Sequence, residues 1–218
     1  MVRVKICCIS SIEEAALAVQ YGAAALGLVS AMPSGPGVIS EDLIAAIAAT
    51  IPPAVASFLL TSEQKASTII VQQRQCRVNT LQLCDHLSDG THEQLRVALP
   101  GIHLVQVIHV TGDDALSQAE RVASHVDAIL LDSGNPSLPV KELGGTGRLH
   151  DWQISRKICQ AVSVPVFLAG GLHPSNVGQA ISQVHPYGVD VCSGVRTNGR
   201  LDEWKLQAFF EAVHAIGV

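Results

Sequence analysis

Basic clusters, long apolar runs and closely paired CxxC cysteines are all missing from this sequence of 218 residues. Lys and Arg number 14 against 19 Asp and Glu, so the chain offers no cationic face of the kind that binds nucleic acid. No apolar run approaches the roughly 20 residues that span a bilayer, and the first residues lack the apolar core of a signal peptide. We therefore expect a cytoplasmic protein that binds neither nucleic acid nor a membrane.

The six cysteines are scattered and have no regularly spaced histidine partners, so they do not predict a zinc site. We expect no metal. In a reducing compartment Cys8, Cys76 and Cys159 are expected to pack as small hydrophobic side chains. His103 and His109 share one apolar run without carboxylate neighbours, which favours packed or exposed side chains over metal ligands.

Short apolar runs alternate with amphipathic stretches along the whole chain, whose hydrophobic content of 48% is enough for a large core. Each run is followed by a pattern typical of a helix, and the first helix opens with the capping sequence Ser11-Ile-Glu-Glu14. The eight runs are Val2–Cys8, Ala24–Val29, Ala54–Leu60, Val78–Leu83, Ile102–Val110, Ala128–Leu131, Val164–Ala169 and Gly188–Cys192.

Continuous apolar strands that alternate with helices indicate a parallel sheet covered on both faces. Eight such units in this length favour a closed (β/α)₈ TIM barrel of the phosphate-binding type, with a doubly wound open sheet as the alternative. No linker or low-complexity segment interrupts the series. We therefore predict a single barrel domain over residues 1–218.

Glycine-rich turns follow the sixth, seventh and eighth runs, where a barrel of this kind often holds a phosphate. Their backbone N–H groups can converge on an oxyanion. The alternative is that the glycines merely make tight turns from strand to helix. The candidate phosphate-binding residues are Gly145, Gly147, Gly170, Gly171, Ser193 and Gly194.

Two titratable groups lie at the ends of the first and sixth predicted strands. Cys7 can act as a base if its thiolate is stabilised, and Asp132 can donate a proton if its carboxyl is kept neutral. The alternative is a packed core thiol and a turn cap. Asp190, in the eighth run, either supports the catalytic face or pairs with Lys5 inside the barrel.

The motifs resemble those of the phosphoribosylanthranilate isomerase family, in order and over nearly the whole chain. They are Lys5-Ile-Cys-Cys-Ile-Ser10, Gln82-Leu83, Leu130-Leu-Asp-Ser133, Gly144-Gly-Thr-Gly147 with Asp151-Trp152, Leu168-Ala-Gly-Gly-Leu172 with Pro174 and Asn176-Val177, and Val189-Asp-Val-Cys-Ser-Gly-Val195.

The resemblance implies an isomerase that performs an Amadori rearrangement of N-(5-phosphoribosyl)anthranilate in tryptophan biosynthesis. The matching Asp132 would protonate the furanose ring oxygen, and the matching Cys7 would remove the proton from C2. No cofactor is implied, and the partner is a small phosphorylated sugar. The oligomeric state stays open.

The sequence departs from the family on the side that would bind anthranilate. The family's Ser-Pro-Arg is replaced by Ser34-Gly-Pro-Gly37, so the arginine for the anthranilate carboxylate is missing. Gln82 and Arg196 are further candidate substrate contacts, with Arg196 a possible replacement for that arginine. An arginine restored at Gly37 is expected to lower KM.

Two alternative functions follow from these departures. The first is a divergent paralogue that isomerises or binds another phosphoribosyl compound; Asp85, in place of the family's His-Gly, would favour a neutral or cationic aglycone. The second is a non-catalytic phosphosugar-binding barrel. The loop from Ser30 to Ser40, rich in Pro and Gly, is expected to form an open or flexible lid.

Overall fold

Parallel strands and α-helices alternate along residues 2–216, which are the residues that the computed structural model describes. The barrel strands are β1 (Arg3–Ile6), β2 (Ala25–Val29), β3 (Ala56–Thr61), β4 (Thr80–Leu83), β5 (His103–His109), β6 (Ala128–Asp132), β7 (Val166–Leu168) and β8 (Gly188–Val191). The helices are α1 (Ile12–Gln20), α2 (Glu41–Ala48), α3 (Ala66–Cys76), α4 (His92–Ala98), α5 (Asp114–Ala123), α6 (Trp152–Ala161), α7 (Val177–Val184) and α8 (Glu203–His214).

The eight strands close into a barrel in the order in which they occur along the chain. Closure is made by β1 and β8, which pair in parallel with Lys5 opposite Asp190. This confirms the predicted (β/α)₈ barrel. The prediction of one domain over 1–218 includes Met1, Gly217 and Val218, which lie outside the described residues.

One feature after β8 is absent from the predicted series of units. A single 3₁₀ turn (Ser193–Val195) is followed by a short antiparallel pair, β9 (Arg196–Thr197) and β10 (Arg200–Leu201). This segment directly follows the carboxyl end of β8, and β8 pairs with β1. It therefore lies at the carboxyl edge of the barrel, next to the end of β1.

Side chains alternate between two layers of the core. On β1, Val4 and Ile6 belong to the apolar layer between strands and helices, whereas Cys7 belongs to the separate cluster in the barrel interior. Because successive side chains on a strand point to opposite faces, Lys5 shares the interior face with Cys7. The barrel interior therefore contains polar groups directly below the mouth.

The first helix begins where its capping sequence predicts. The Ser11 hydroxyl accepts a hydrogen bond from the Glu14 N–H at 3.2 Å. The Glu14 carboxylate accepts from the N–H of Ser10 at 3.0 Å and from the Arg196 guanidinium, so it joins the first helix to the segment after β8. Among residues 2–216, no helix is long and apolar enough to cross a membrane.

Candidate active site

One cavity at the carboxyl ends of the strands brings together most of the residues predicted for the site. It is lined by Cys7, Gln82, Asp132, Gly145, Gly147, Gly170, Gly171 and Ser193. Gly194 and Arg196 do not line it. The lining comes from segments far apart in sequence, which meet because parallel strands end at the same rim of a barrel.

Cys7 lies at the end of β1 with 6% of its surface exposed, and that exposure faces the cavity. Its N–H donates to the Val191 carbonyl at 2.8 Å, which continues the pairing with β8. Burial raises the pKa of the Cys7 thiol to about 11, although the neighbouring Lys5 ammonium acts to lower it. The thiol is thus both packed and accessible from the mouth.

Asp132 is the last residue of β6 and lies in the same cavity. Its Oδ1 accepts a hydrogen bond from the Ser133 N–H at 2.7 Å, so the carboxylate also caps the turn that follows. A Cβ at Gly144 would lie 2.7 Å from Oδ2, so only glycine lets this loop approach the carboxylate. The capping and proton-donor interpretations are therefore compatible.

The glycines on the rim keep their backbone donors available. Gly145, Gly147, Gly170 and Gly171 all have positive φ, between 62° and 82°. Within residues 2–216 their N–H groups donate no hydrogen bond to the protein. The hydroxyls of Ser133 and Thr146 are 2.7 Å apart on the same rim. This arrangement can accept an oxyanion such as a phosphate.

Gly194 has a different role from the other rim glycines. A Cβ there would collide with the Leu172 carbonyl oxygen and lie 2.9 Å from the His173 Cα. Gly194 therefore lets the loops after β7 and β8 pack directly against each other. Its backbone stabilises the packing of these loops without lining the cavity.

Gln82 places an amide in the cavity wall. The side chain is buried, its Nε2 donates weakly to the Cys84 sulfur at 3.8 Å, and its Oε1 has no hydrogen-bond partner among the described residues. An unpaired buried acceptor is costly unless a ligand or water supplies a donor. Gln82 is thus suited to accept a hydrogen bond from a sugar hydroxyl.

Arg196 requires a correction, because it points away from the cavity. Its guanidinium pairs with Glu14 at 3.0 Å and also donates to the carbonyls of Cys7 (3.2 Å) and Cys8 (2.6 Å). Its side chain is only 6% exposed. Arg196 therefore fixes the end of β1 to the segment after β8 and is not placed to replace the missing arginine.

Cys8 is buried in an apolar cluster, as expected, but it also forms a disulfide with Cys192 that the sequence did not predict. The two Cα atoms are 5.9 Å apart because β1 and β8 are neighbours and each cysteine follows the end of its strand. A separation of 184 residues hides this proximity in the sequence. Cys76 and Cys159 are free thiols, as expected.

The segment from Ser30 to Ser40 lies across the mouth and does not form an open lid. The Ser34 hydroxyl donates to the Lys141 carbonyl at 2.7 Å, and Pro36 contacts Gly145. Gly37 has a φ of +81°, and a Cβ there would lie 2.5 Å from the Cys8 Cβ. An arginine at Gly37 would therefore collide with Cys8, so the structure gives no support to the expectation that it lowers KM.

Asp85 and Lys141 form an ion pair that sequence spacing did not suggest. The Lys141 Nζ is 2.5 Å from the Asp85 Oδ2, and the N–H of His86 donates to Oδ1 at 2.9 Å. Burial alone would raise the pKa of Asp85, but these two partners outweigh burial and lower it. Because its charge is paired, Asp85 gives no specific support for a cationic aglycone.

The histidines of β5 do not form a metal site. His103 is largely exposed, whereas the Nε2 of buried His109 is 2.9 Å from the Cys84 carbonyl oxygen. Across residues 2–216, His, Cys, Asp and Glu side chains form no group of three or more able to hold a metal ion.

Comparisons with known proteins agree with this geometry. The model of the N-(5'-phosphoribosyl)anthranilate (PRA) isomerase family matches residues 4–212. The N-(5'-phosphoribosyl)anthranilate isomerase of Methanocella arvoryzae is 35% identical and aligns over 98% of both chains. The crystal structure of the Thermotoga maritima isomerase superposes with a TM-score of 0.82 at 29% identity, covering 99% of this chain and 100% of that one.

A further solved structure contains a ligand. It is a phosphoribosyl anthranilate isomerase in complex with reduced 1-(o-carboxyphenylamino)-1-deoxyribulose 5-phosphate, and it superposes with a TM-score of 0.79 at 27% identity. The alignment covers 99% of this chain and 100% of that one. That protein therefore binds a small phosphorylated sugar derivative.

Proposed function

Because this chain belongs to the phosphoribosylanthranilate isomerase family, we propose that it isomerises N-(5-phosphoribosyl)anthranilate by an Amadori rearrangement, as a step of tryptophan biosynthesis. The observation that carries the proposal is the shared cavity of Cys7, Asp132 and the glycine rim. A candidate base, a candidate acid and an oxyanion site are the three elements that this reaction needs.

Proton transfers at two positions account for the rearrangement. Asp132 gives its proton to the furanose ring oxygen, the C1–O bond breaks, and an iminium forms between C1 and the anthranilate nitrogen. Cys7, as the thiolate, then takes the proton from C2 and leaves an enolamine, which tautomerises to the ketone. Strands β1 and β6 are not neighbours in the closed barrel, so these residues can flank the sugar from two sides.

The glycine rim serves as the fixed end of the site. The free N–H groups of Gly145, Gly147, Gly170 and Gly171, with the Ser193 hydroxyl, bind the phosphate. Binding energy from this remote group positions the reacting carbons between Cys7 and Asp132. Gln82, with its unpaired Oε1, accepts a hydrogen bond from the sugar.

Neither alternative function is favoured by a specific observation. The paralogue hypothesis starts from the missing arginine and takes its neutral or cationic aglycone from a negative charge at Asp85, but Lys141 neutralises that charge. The non-catalytic hypothesis gives Cys7 and Asp132 no reason to share a cavity with the rim. The missing arginine still predicts weak binding of the anthranilate carboxylate, since a charged hydrogen bond contributes about 1.5–3 kcal/mol.

We also propose that the chain works in the cytoplasm as a single barrel domain without a cofactor or metal. Both proton transfers are assigned to side chains of the protein, and the substrate is its small-molecule partner.

A steady-state assay of the purified protein with phosphoribosylanthranilate tests the proposal. We expect turnover with a KM raised by the missing arginine and inhibition by inorganic phosphate that competes with substrate. A matched substrate with an uncharged aniline aglycone tests the paralogue hypothesis, because faster turnover of that compound would contradict anthranilate as the natural aglycone. No turnover of either compound would contradict the isomerase assignment.

A further inference from the structure

A fully buried lysine lies directly beneath the thiol of Cys7. Lys5 has 0% of its surface exposed and lies two residues before Cys7, which directly follows β1 and continues its pairing with β8, so both side chains face the barrel interior. A Cβ at Gly27, on the neighbouring β2, would lie 2.9 Å from the Cys7 Sγ and 3.1 Å from the Lys5 Nζ. The sulfur and the ammonium are thus no more than about 6 Å apart, within the range over which one charge shifts the pKa of another.

Asp190 holds this lysine in place. It is the register partner of Lys5 on β8, and the Lys5 Nζ is 3.0 Å from its Oδ1. The two groups form an ion pair, but their geometry does not meet the criteria of a hydrogen bond. The N–H groups of the Lys5 ammonium therefore remain available as donors. The ring of Phe58 closes the other side, 5.2 Å from the Nζ.

The ammonium remains charged in this interior. Burial alone would lower the pKa of Lys5, but Asp190 and Cys7 outweigh burial and raise it. Burial raises the pKa of Asp190, and the Lys5 ammonium opposes that rise and favours the carboxylate. A lone buried lysine would be driven to its neutral form. The ion pair therefore keeps a positive charge below the floor of the cavity, where no solvent screens it.

We propose that Lys5 is the positioning residue for Cys7: its ammonium, held by Asp190, faces the sulfur and stabilises the thiolate that takes the proton from C2. The inference rests on the proposed role of Cys7 as the base. It assigns Lys5 no contact with the substrate. The lysine acts through the charge that it presents to the sulfur.

The charged groups around Cys7 support the assignment of Lys5 as the residue that stabilises its thiolate. Burial is the largest influence and raises its pKa, whereas Lys5, on the same strand, lowers it. Asp190 on β8 and Asp132 on β6 both raise the pKa of Cys7. The buried Cys84 thiol, just after β4, is the other titratable neighbour. Lys5 is the cation in this set and opposes the two carboxylates.

The test measures the thiolate directly. Alkylation of Cys7 by iodoacetamide is followed by mass spectrometry on the peptide that contains it, between neutral and mildly alkaline pH. Below the pKa of the thiol the rate is proportional to the thiolate fraction. The variants are Lys5→Met and the double variant Lys5→Met with Asp190→Asn, which leaves no unpaired buried carboxylate. Lys157→Met, on the exposed surface of α6, is the control.

Removing the lysine is expected to slow alkylation about ten- to a hundredfold at a given pH. This range follows from the Coulomb interaction of two charges about 6 Å apart at a dielectric constant of about 20. The ultraviolet absorption of the thiolate, with Cys7→Ser as the blank, shows whether slower alkylation reflects a smaller thiolate fraction at Cys7 or poorer access of iodoacetamide to the sulfur. The control variant should match the parent protein. A rate within about twofold of the parent in folded Lys5→Met overturns the proposal. The double variant should lose less, because Asp190→Asn also removes a charge that raises the pKa of Cys7.

A reciprocal measurement keeps the proposal testable if Lys5→Met fails to fold. Because Cys7 raises the pKa of Lys5, the Lys5 ammonium followed by nitrogen NMR should titrate at lower pH in Cys7→Ser than in the parent. An unchanged midpoint overturns the proposal. Failure of the proposed function is separate, since it would appear as full isomerase activity in Cys7→Ser, whatever the alkylation rates show.

Discussion

Replacing Arg196 with methionine tests its assignment as a structural residue. The guanidinium donates to both oxygens of Glu14 and to the carbonyls of Cys7, Cys8 and Gly199. Methionine preserves much of the apolar stem but removes every one of these donors. Glu14 then keeps its bonds from the N–H groups of Ser10 and Leu201 and from the Ser10 hydroxyl.

The expected loss of stability follows from this geometry. Removing one partner of a buried ion pair costs about 3–5 kcal/mol, because the other charge stays buried and unpaired. Glu14 keeps two backbone donors and is 13% exposed at its side chain, which places the loss near the lower end of that range. For a chain of this size, about 3 kcal/mol corresponds to a fall in Tm of about 6–12 °C.

Thermal and urea unfolding measure this loss against Arg200→Met, an exposed arginine in the same β9–β10 segment, which should stay within about 0.5 kcal/mol of the parent. Burial acts to raise the pKa of Glu14, but Arg196 and the backbone donors outweigh it and lower the pKa. The carboxylate is therefore stabilised in the folded state, and the advantage of the parent over Arg196→Met should shrink as the pH falls below about 4. A raised KM with unchanged stability would refute the assignment and return Arg196 to the substrate.

Three further predictions concern the cavity. Gly171→Ala should raise KM and the inhibition constant of inorganic phosphate about tenfold or more, because the φ of Gly171 is +62° and a Cβ would lie 2.8 Å from the Arg148 carbonyl carbon. Gly101→Ala is the control, since Gly101 also has a positive φ but has open space around it. Equal effects in the two variants would contradict the phosphate site. Gly37→Arg should raise KM or destabilise the protein, because its side chain would collide with Cys8. Pro36→Arg, on the cavity wall, should lower KM. A lower KM in Gly37→Arg than in Pro36→Arg, measured by steady-state kinetics, would contradict the position of the loop. In Asp132→Asn, Cys7 is the one proposed proton-transfer group that still titrates. The residual rate should therefore rise about tenfold per pH unit below the pKa of Cys7, which burial raises to about 11, and a flat pH profile would contradict Cys7 as the base.

The backbone of this protein could be predicted because it repeats one simple unit. Eight apolar runs separated by helical patterns admit few arrangements, and the barrel then fixes which residues meet at the rim. That is why Cys7 and Asp132, each at a strand end, could be assigned to one cavity. The loop motifs of the family placed the glycines on the same rim.

Contacts between neighbouring loops could not be predicted in the same way. The Cys8–Cys192 disulfide, the Asp85–Lys141 pair and the Arg196–Glu14 pair each join residues far apart in sequence. Their formation depends on strand adjacency and on the direction of single side chains. Spacing along the chain carries neither kind of information, so the sequence predicts neither the pairing of Arg196 with Glu14 nor the disulfide of Cys8.

Turnover of phosphoribosylanthranilate by Cys7→Ser and Asp132→Asn, measured beside the parent protein under saturating substrate, tests the central claim most directly. Each variant should lose about a hundred- to ten-thousandfold in kcat, because each removes one direct proton transfer. Competitive inhibition by inorganic phosphate should persist in both, since the glycine rim is unchanged. Activity near that of the parent in either variant would contradict the acid–base mechanism and return that residue to a purely structural role.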